Sequence, residues 1–149
     1  MVFFRLLAFL RKSDVSYQSF IFPKKEYDAL ELVGRISREL SLFIRENIAY
    51  FQSFDNVIVY YDGGQPEISR ILASVFNALL FEVEFRKVSP AEYYLFQAAD
   101  LICTVELLAV KRIEKKLTRS DTGFFYKPKE LQRIIKEVRA KSFDKINRL

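Results

Sequence analysis

The sequence predicts an α/β domain, and three observations carry that prediction. Strand-like and helix-like stretches alternate along the chain, the pattern of α/β layers joined by right-handed crossovers. Asn56–Tyr61, NVIVYY, is apolar at consecutive positions, as in a strand covered on both faces of a largely parallel sheet. With only four Gly and four Pro in 149 residues, and half of the residues hydrophobic, the chain has few breaks and enough apolar mass for one domain, 1–149, with a real core.

In order, Val2 to about Lys12 reads as a helix with Phe3, Leu6, Leu7 and Leu10 on one face. Arg5 interrupts its apolar run, no small-residue cleavage site follows, and the run is too short to span a bilayer. A buried helix is therefore expected, with no membrane partner and a cytoplasmic location. Ser13-Asp14 breaks the pattern, and Tyr17–Phe22, rich in aromatics and Ile, reads as a strand ended by Pro23. Glu26 to about Tyr50 reads as one long amphipathic helix with the stripe Leu30, Val33, Ile36, Leu40, Phe43 and Ile48. The NVIVYY strand should be central, with Val57, Ile58 and Val59 buried on both faces.

Asp62-Gly63-Gly64 forms a turn, and the next helix has Pro66 at its first position and Glu67 in its first turn, both favourable there. Glu82–Val88 alternates polar and apolar residues like a half-exposed strand. Glu92 to about Leu117 is a second long helix. A turn at Thr122-Gly123 leads to a basic C-terminal helix, Lys129 to Lys145. Two or three strands make a thin sheet for so many helices, which predicts further strands upstream of an incomplete sheet.

The chain has no His and a single Cys, Cys103, which excludes an intramolecular disulfide and a zinc site built from Cys and His. A metal would need oxygen ligands, the preference of Mg²⁺ or Mn²⁺. Net charge is +5 and uneven: residues 111–149 carry 13 basic and 5 acidic side chains. Lys111, Arg112, Lys115, Lys116 and Arg119 at its start could meet a phosphate backbone of nucleic acid. On charge alone, a solvated Lys-rich helix explains them better.

Two carboxylates stand out. Asp62 follows the most apolar strand, where ligands of open α/β sheets bind, and two glycines allow close approach to the backbone. Taken alone, an ordinary Asp-Gly-Gly turn explains it better. Asp100 lies in LFQAADLICTVELLAV, the most apolar helical stretch, where a carboxylate is costly unless paired or metal-bound. Gln97, Asp100 and Thr104 share one helical face. Glu106, in the same helix, reads as a structural residue that pairs with a base or reaches solvent.

The run VIVYYDGGQ, Val57 to Gln65, resembles the strand and Tyr-Asp-Asn/Gly-Gly/Ala-Gln turn of the ribonuclease-H-like domain of unknown function 3800 family. FQAADLICTVELL, Phe96 to Leu108, resembles that family's Gln-x-Ala-Asp-Leu helix, and GFFYKPKELQRIIKEV resembles its closing segment. The resemblance covers roughly residue 2 onward. It implies a ribonuclease-H-like fold and a metal-dependent nuclease activity, with Asp62 and Asp100 as catalytic, metal-binding acids. Gln65, Gln97, Gly63 and Gly64 come over as motif residues. Such proteins open with a strand bearing Ile-Asp-Glu-Ser-Gly, which this sequence lacks. The resemblance therefore implies an N-terminally truncated domain, with weak Mg²⁺ or Mn²⁺ binding and little or no cleavage. A sheet edge left open should pair with a second copy of the chain. The other expectation is a non-catalytic interaction module of a defence or mobile-element system.

Overall fold

The computed structural model describes residues 2–119, 121 and 128–146. It is a mixed α/β structure, mostly helical, with a two-stranded parallel sheet among the described residues. Two compact units are present. A helical unit joins the segments up to Ser19 and from Tyr93 onward, and a sheet unit comprises Phe20–Glu92.

The helical unit is built from α1 (Val2–Lys12), α5 (Tyr94–Ile113), α6 (Pro128–Arg139) and a short α7 (Phe143–Ile146). Each long helix supplies an apolar stripe at helical spacing. Leu6, Leu7 and Leu10 of α1 meet Leu101, Val105 and Leu108 of α5 and Leu131, Ile134 and Val138 of α6 in one buried core. Arg133 and Lys136 point the other way and are exposed, so the basic C-terminal helix is amphipathic. Thr122-Gly123 and the start of GFFYKPKELQRIIKEV lie outside the described residues.

The sheet unit contains α2 (Ala29–Glu46), α3 (Ile48–Gln52), β1 (Val57–Tyr61), α4 (Pro66–Leu79) and β2 (Val83–Lys87). A 3₁₀ turn at Lys24–Glu26 precedes α2. Asp28 caps α2: its Oδ1 accepts the Glu31 N–H at 2.8 Å, while Glu31 Oε2 accepts the Asp28 N–H at 3.4 Å. The two strands run in register from Val57 opposite Val83 to Tyr61 opposite Lys87, with α4 as the crossover. Ile44, Ile71 and Val75 form the buried centre between α2 and α4. A chain of edge-on aromatic contacts, Phe20–Phe43–Phe51–Phe76, flanks it with ring centroids 6.0, 6.0 and 6.4 Å apart.

Three expectations are corrected. Tyr17–Phe22 is not a strand. Tyr17 makes one parallel bridge to Ser142, donating its N–H to Lys141 and accepting from the Phe143 N–H, while the Phe20 ring packs on Phe43. Tertiary contacts thus decide that segment over its β propensity. The long helix from Glu26 breaks at Asn47, whose Nδ2 donates to the Phe43 carbonyl at 2.8 Å and competes with the helical ladder. The β1 strand is not buried on both faces. None of its side chains is buried, and Ile58 stays 37% exposed because a two-stranded sheet is too narrow to be covered on both sides.

Candidate functional site

Asp62 sits just past the carboxyl end of β1 and is exposed. Its Oδ1 accepts the Gly64 N–H at 3.1 Å, closing an Asx-type turn that orients the carboxylate. Neither glycine of the turn has a positive φ, so conformational freedom is not why they are there. The far end of the Lys87 side chain, from the end of β2, crosses the space a Cβ at position 63 would fill and would have to move aside for one. Parallel pairing explains this meeting, because Tyr61 and Lys87 are register partners at the same end of the sheet. Gln65 is the N-cap of α4, but its side chain makes no capping bond. The Asp62 turn, Lys87 and the start of α4 therefore collect at the carboxyl end of one β–α–β crossover, the position where open α/β sheets bind ligands.

Asp100 belongs to the helical unit and is exposed, contrary to the expectation of a carboxylate inside an apolar helix. The buried face of α5 runs through Ala98, Leu101, Ile102, Val105 and Ala109. At about 100° per residue, Asp100 points roughly opposite to Ala98, out of that core. Thr104 donates its hydroxyl to the Asp100 carbonyl at 3.0 Å, so it serves the helix backbone and not the carboxylate. Gln97 is half-buried.

The buried carboxylate of α5 is Glu106, 8% exposed. It accepts a hydrogen bond from the Tyr17 hydroxyl at 2.7 Å and two from Arg139, at 3.2 Å from Nε and 3.1 Å from Nη2. Burial pushes the Glu106 carboxyl up, but the bonds from Arg139 and Tyr17 and the charge of Arg139 outweigh it, and the net direction is down. Burial, then the bond to Glu106, raises the Tyr17 phenol. This triad joins the loop after α1, the middle of α5 and the end of α6. Its role is structural, as the sequence suggested for Glu106, but its depth was not legible. Placing Glu106 one position after Val105, on the flank of the buried stripe, was the available signal.

The basic cluster is only partly open. Lys111 Nζ lies 3.4 Å from Asp121 and Lys116 Nζ lies 3.2 Å from Glu114. Lys115 takes a left-handed backbone, φ 58°, where α5 ends. Arg112 and Arg119 are exposed. Burial and the charges of Asp100 and Glu106 raise the Cys103 thiol, which disfavours a reactive thiolate there.

Among the described residues, no three His, Cys, Asp or Glu side chains converge to hold a metal ion. Asp62 and Asp100 are each of a kind that suits a hard divalent cation. No helix among the described residues is long and apolar enough to cross a membrane. No family model matches the chain, and no curated protein or solved structure matches it either.

Proposed function

We propose that this chain is a ribonuclease-H-like domain directed at phosphodiesters, with Asp62 and Asp100 as metal-binding acids of a metal-dependent nuclease. The observation that carries the proposal is the placement of Asp62: an exposed carboxylate, oriented by Gly64, at the carboxyl end of the first strand of a parallel crossover. Bound Mg²⁺ or Mn²⁺ would supply an activated water and neutralise phosphoryl charge. Asp62 contributes one oriented carboxylate oxygen, with the Lys87 side chain lying over Gly63 beside it. Two acids supply only part of a coordination shell, and Mg²⁺ gives up its waters reluctantly, so the chain alone binds cations weakly and cleaves slowly or not at all.

The test pairs Mn²⁺ titration with a panel of DNA and RNA substrates, run on the chain and on Asp62→Asn and Asp100→Asn. Weak Mn²⁺ binding lost in either variant supports the assignment. Strong metal-dependent cleavage that survives Asp62→Asn refutes it.

A second reading, a non-catalytic partner-binding module, is favoured by the apolar side chains the sheet unit leaves exposed. Phe81 is fully exposed, Leu30 is 82% exposed and Phe54 is 52% exposed. Light scattering on the chain and on Phe81→Ser separates a self-associating module from a monomer.

A further inference from the structure

The start of α2 carries a feature that the Asp62 turn does not use. An open cleft of about 420 Å³ is lined by Tyr27, Glu31, Gly34, Arg35 and Arg38. Arg35 and Arg38 are three residues apart, so their side chains leave one helix face from backbone positions about 4.5 Å apart along the axis. Arg35 is held in place: its Cζ lies 5.3 Å from the Tyr27 ring centroid, and its Nη2 donates to the Tyr27 hydroxyl at 3.2 Å. Among the described residues neither arginine forms an ion pair. The acid of the lining, Glu31, is committed to the cap of α2 through the Asp28 N–H.

Gly34 is the second, independent sign. Glycine inside a helix is destabilising relative to alanine, so a packing reason is normally needed for it. Here none is seen, because no other group of the described residues lies within 4 Å of where its Cβ would be. What the glycine provides is an open floor between the arginines and Tyr27. Two permanently charged, planar donor forks lining a cleft with an exposed glycine match the oxygens of a phosphate. The cleft is open rather than enclosed, which suits a polymer lying across it better than a small ligand sealed inside.

We propose that the Tyr27–Gly34–Arg35–Arg38 cleft is a phosphate site that takes the backbone of single-stranded nucleic acid. This deepens the phosphodiester-directed function proposed above and rests on it for the ligand class. The two remain separable, because binding is read in EDTA, where cleavage plays no part.

The experiment is fluorescence anisotropy with short labelled single-stranded DNA and RNA, over a range of salt, on the whole chain. Circular dichroism checks that each variant keeps its helix content. The double variant Arg35→Gln/Arg38→Gln should weaken binding at least about tenfold and flatten the log–log salt slope by about 1.4, two phosphate contacts at roughly 0.7 each. Gly34→Gln should weaken binding with every charge in place. Unchanged affinity and slope in the double variant overturn the site, as does absence of binding by the unmodified chain. Competition by polyglutamate as effective as that by the oligonucleotide overturns phosphate recognition. Competition by pyrophosphate as effective, mole for mole, overturns the polymer in favour of a small phosphate ligand.

Discussion

Replacing Arg139 with Met removes both of its hydrogen bonds to Glu106 and leaves that carboxylate, 8% exposed, with the single bond from Tyr17. Breaking a fully buried ion pair costs about 3–5 kcal/mol. Arg139 is 40% exposed, so water can enter the space it leaves and part of its charge is already screened. The expected cost of Arg139→Met at neutral pH is therefore about 2 kcal/mol, below that range. Removing both partners in Glu106→Leu/Arg139→Met should recover most of it, since no buried charge is then left unpaired.

The pH dependence has a definite sign. The folded Glu106 carboxyl lies below its ordinary value of 4.5, so its contribution is fully present above that value and is lost as pH falls through the folded one. In Arg139→Met, burial is no longer offset by the guanidinium, the carboxyl rises, and protonation relieves the cost. The gap between the two proteins should close on the acid side. The assay is urea unfolding followed by far-UV circular dichroism, because the chain has no Trp to report by fluorescence. An Arg139→Met cost under about 0.5 kcal/mol, a surface-pair value, would refute the clasp. So would a double variant as unstable as the sum of its single changes.

Three further outcomes are expected from the same measurement. Asp28→Ala removes the capping box of α2 and should cost about 1 kcal/mol, with Asp28→Asn costing less. Ile44→Ala empties a fully buried position between α2 and α4 and should cost about 2–4 kcal/mol, whereas Leu30→Ala, at an 82% exposed site, should stay within about 0.5. Gly34→Ala should stabilise the sheet unit by up to about 1 kcal/mol, since its Cβ meets no other group; a loss would show an unrecognised close contact there.

The helices at Val2–Lys12 and Pro66–Leu79 and the strands at Val57–Tyr61 and Val83–Lys87 follow closely from periodicity and Pro placement, whereas the basic helix expected over Lys129–Lys145 ends at Arg139, ahead of the short α7. Asp62 is likewise found where a strand end and two glycines put it. The failures share a cause. Tyr17–Phe22 has strand-like side chains, yet those of Tyr17 and Phe20 are taken by Glu106 and Phe43. Asp100 is surrounded in sequence by apolar residues, but an apolar stretch is not an apolar face. Counting from Ala98, Val105 and Ala109 would have turned Asp100 outward and brought Glu106 to the edge of the core. The Arg35–Arg38 cleft left a trace only in Gly34, a glycine inside an otherwise regular helical pattern.

The sequence alone determined the α/β class, the type of most elements and the strand-end position of Asp62, because those depend on local spacing and on backbone conformations intrinsic to each residue. Only the tertiary structure decided that α1 packs with α5 and α6 around one core while α2 and α4 enclose another. Only it showed that the buried acid of α5 is Glu106, and that Lys87 crosses Gly63. Each of these depends on residues far apart in the chain meeting in space: Glu106 is buried without prohibitive cost because Tyr17 and Arg139 arrive from two other segments to satisfy it.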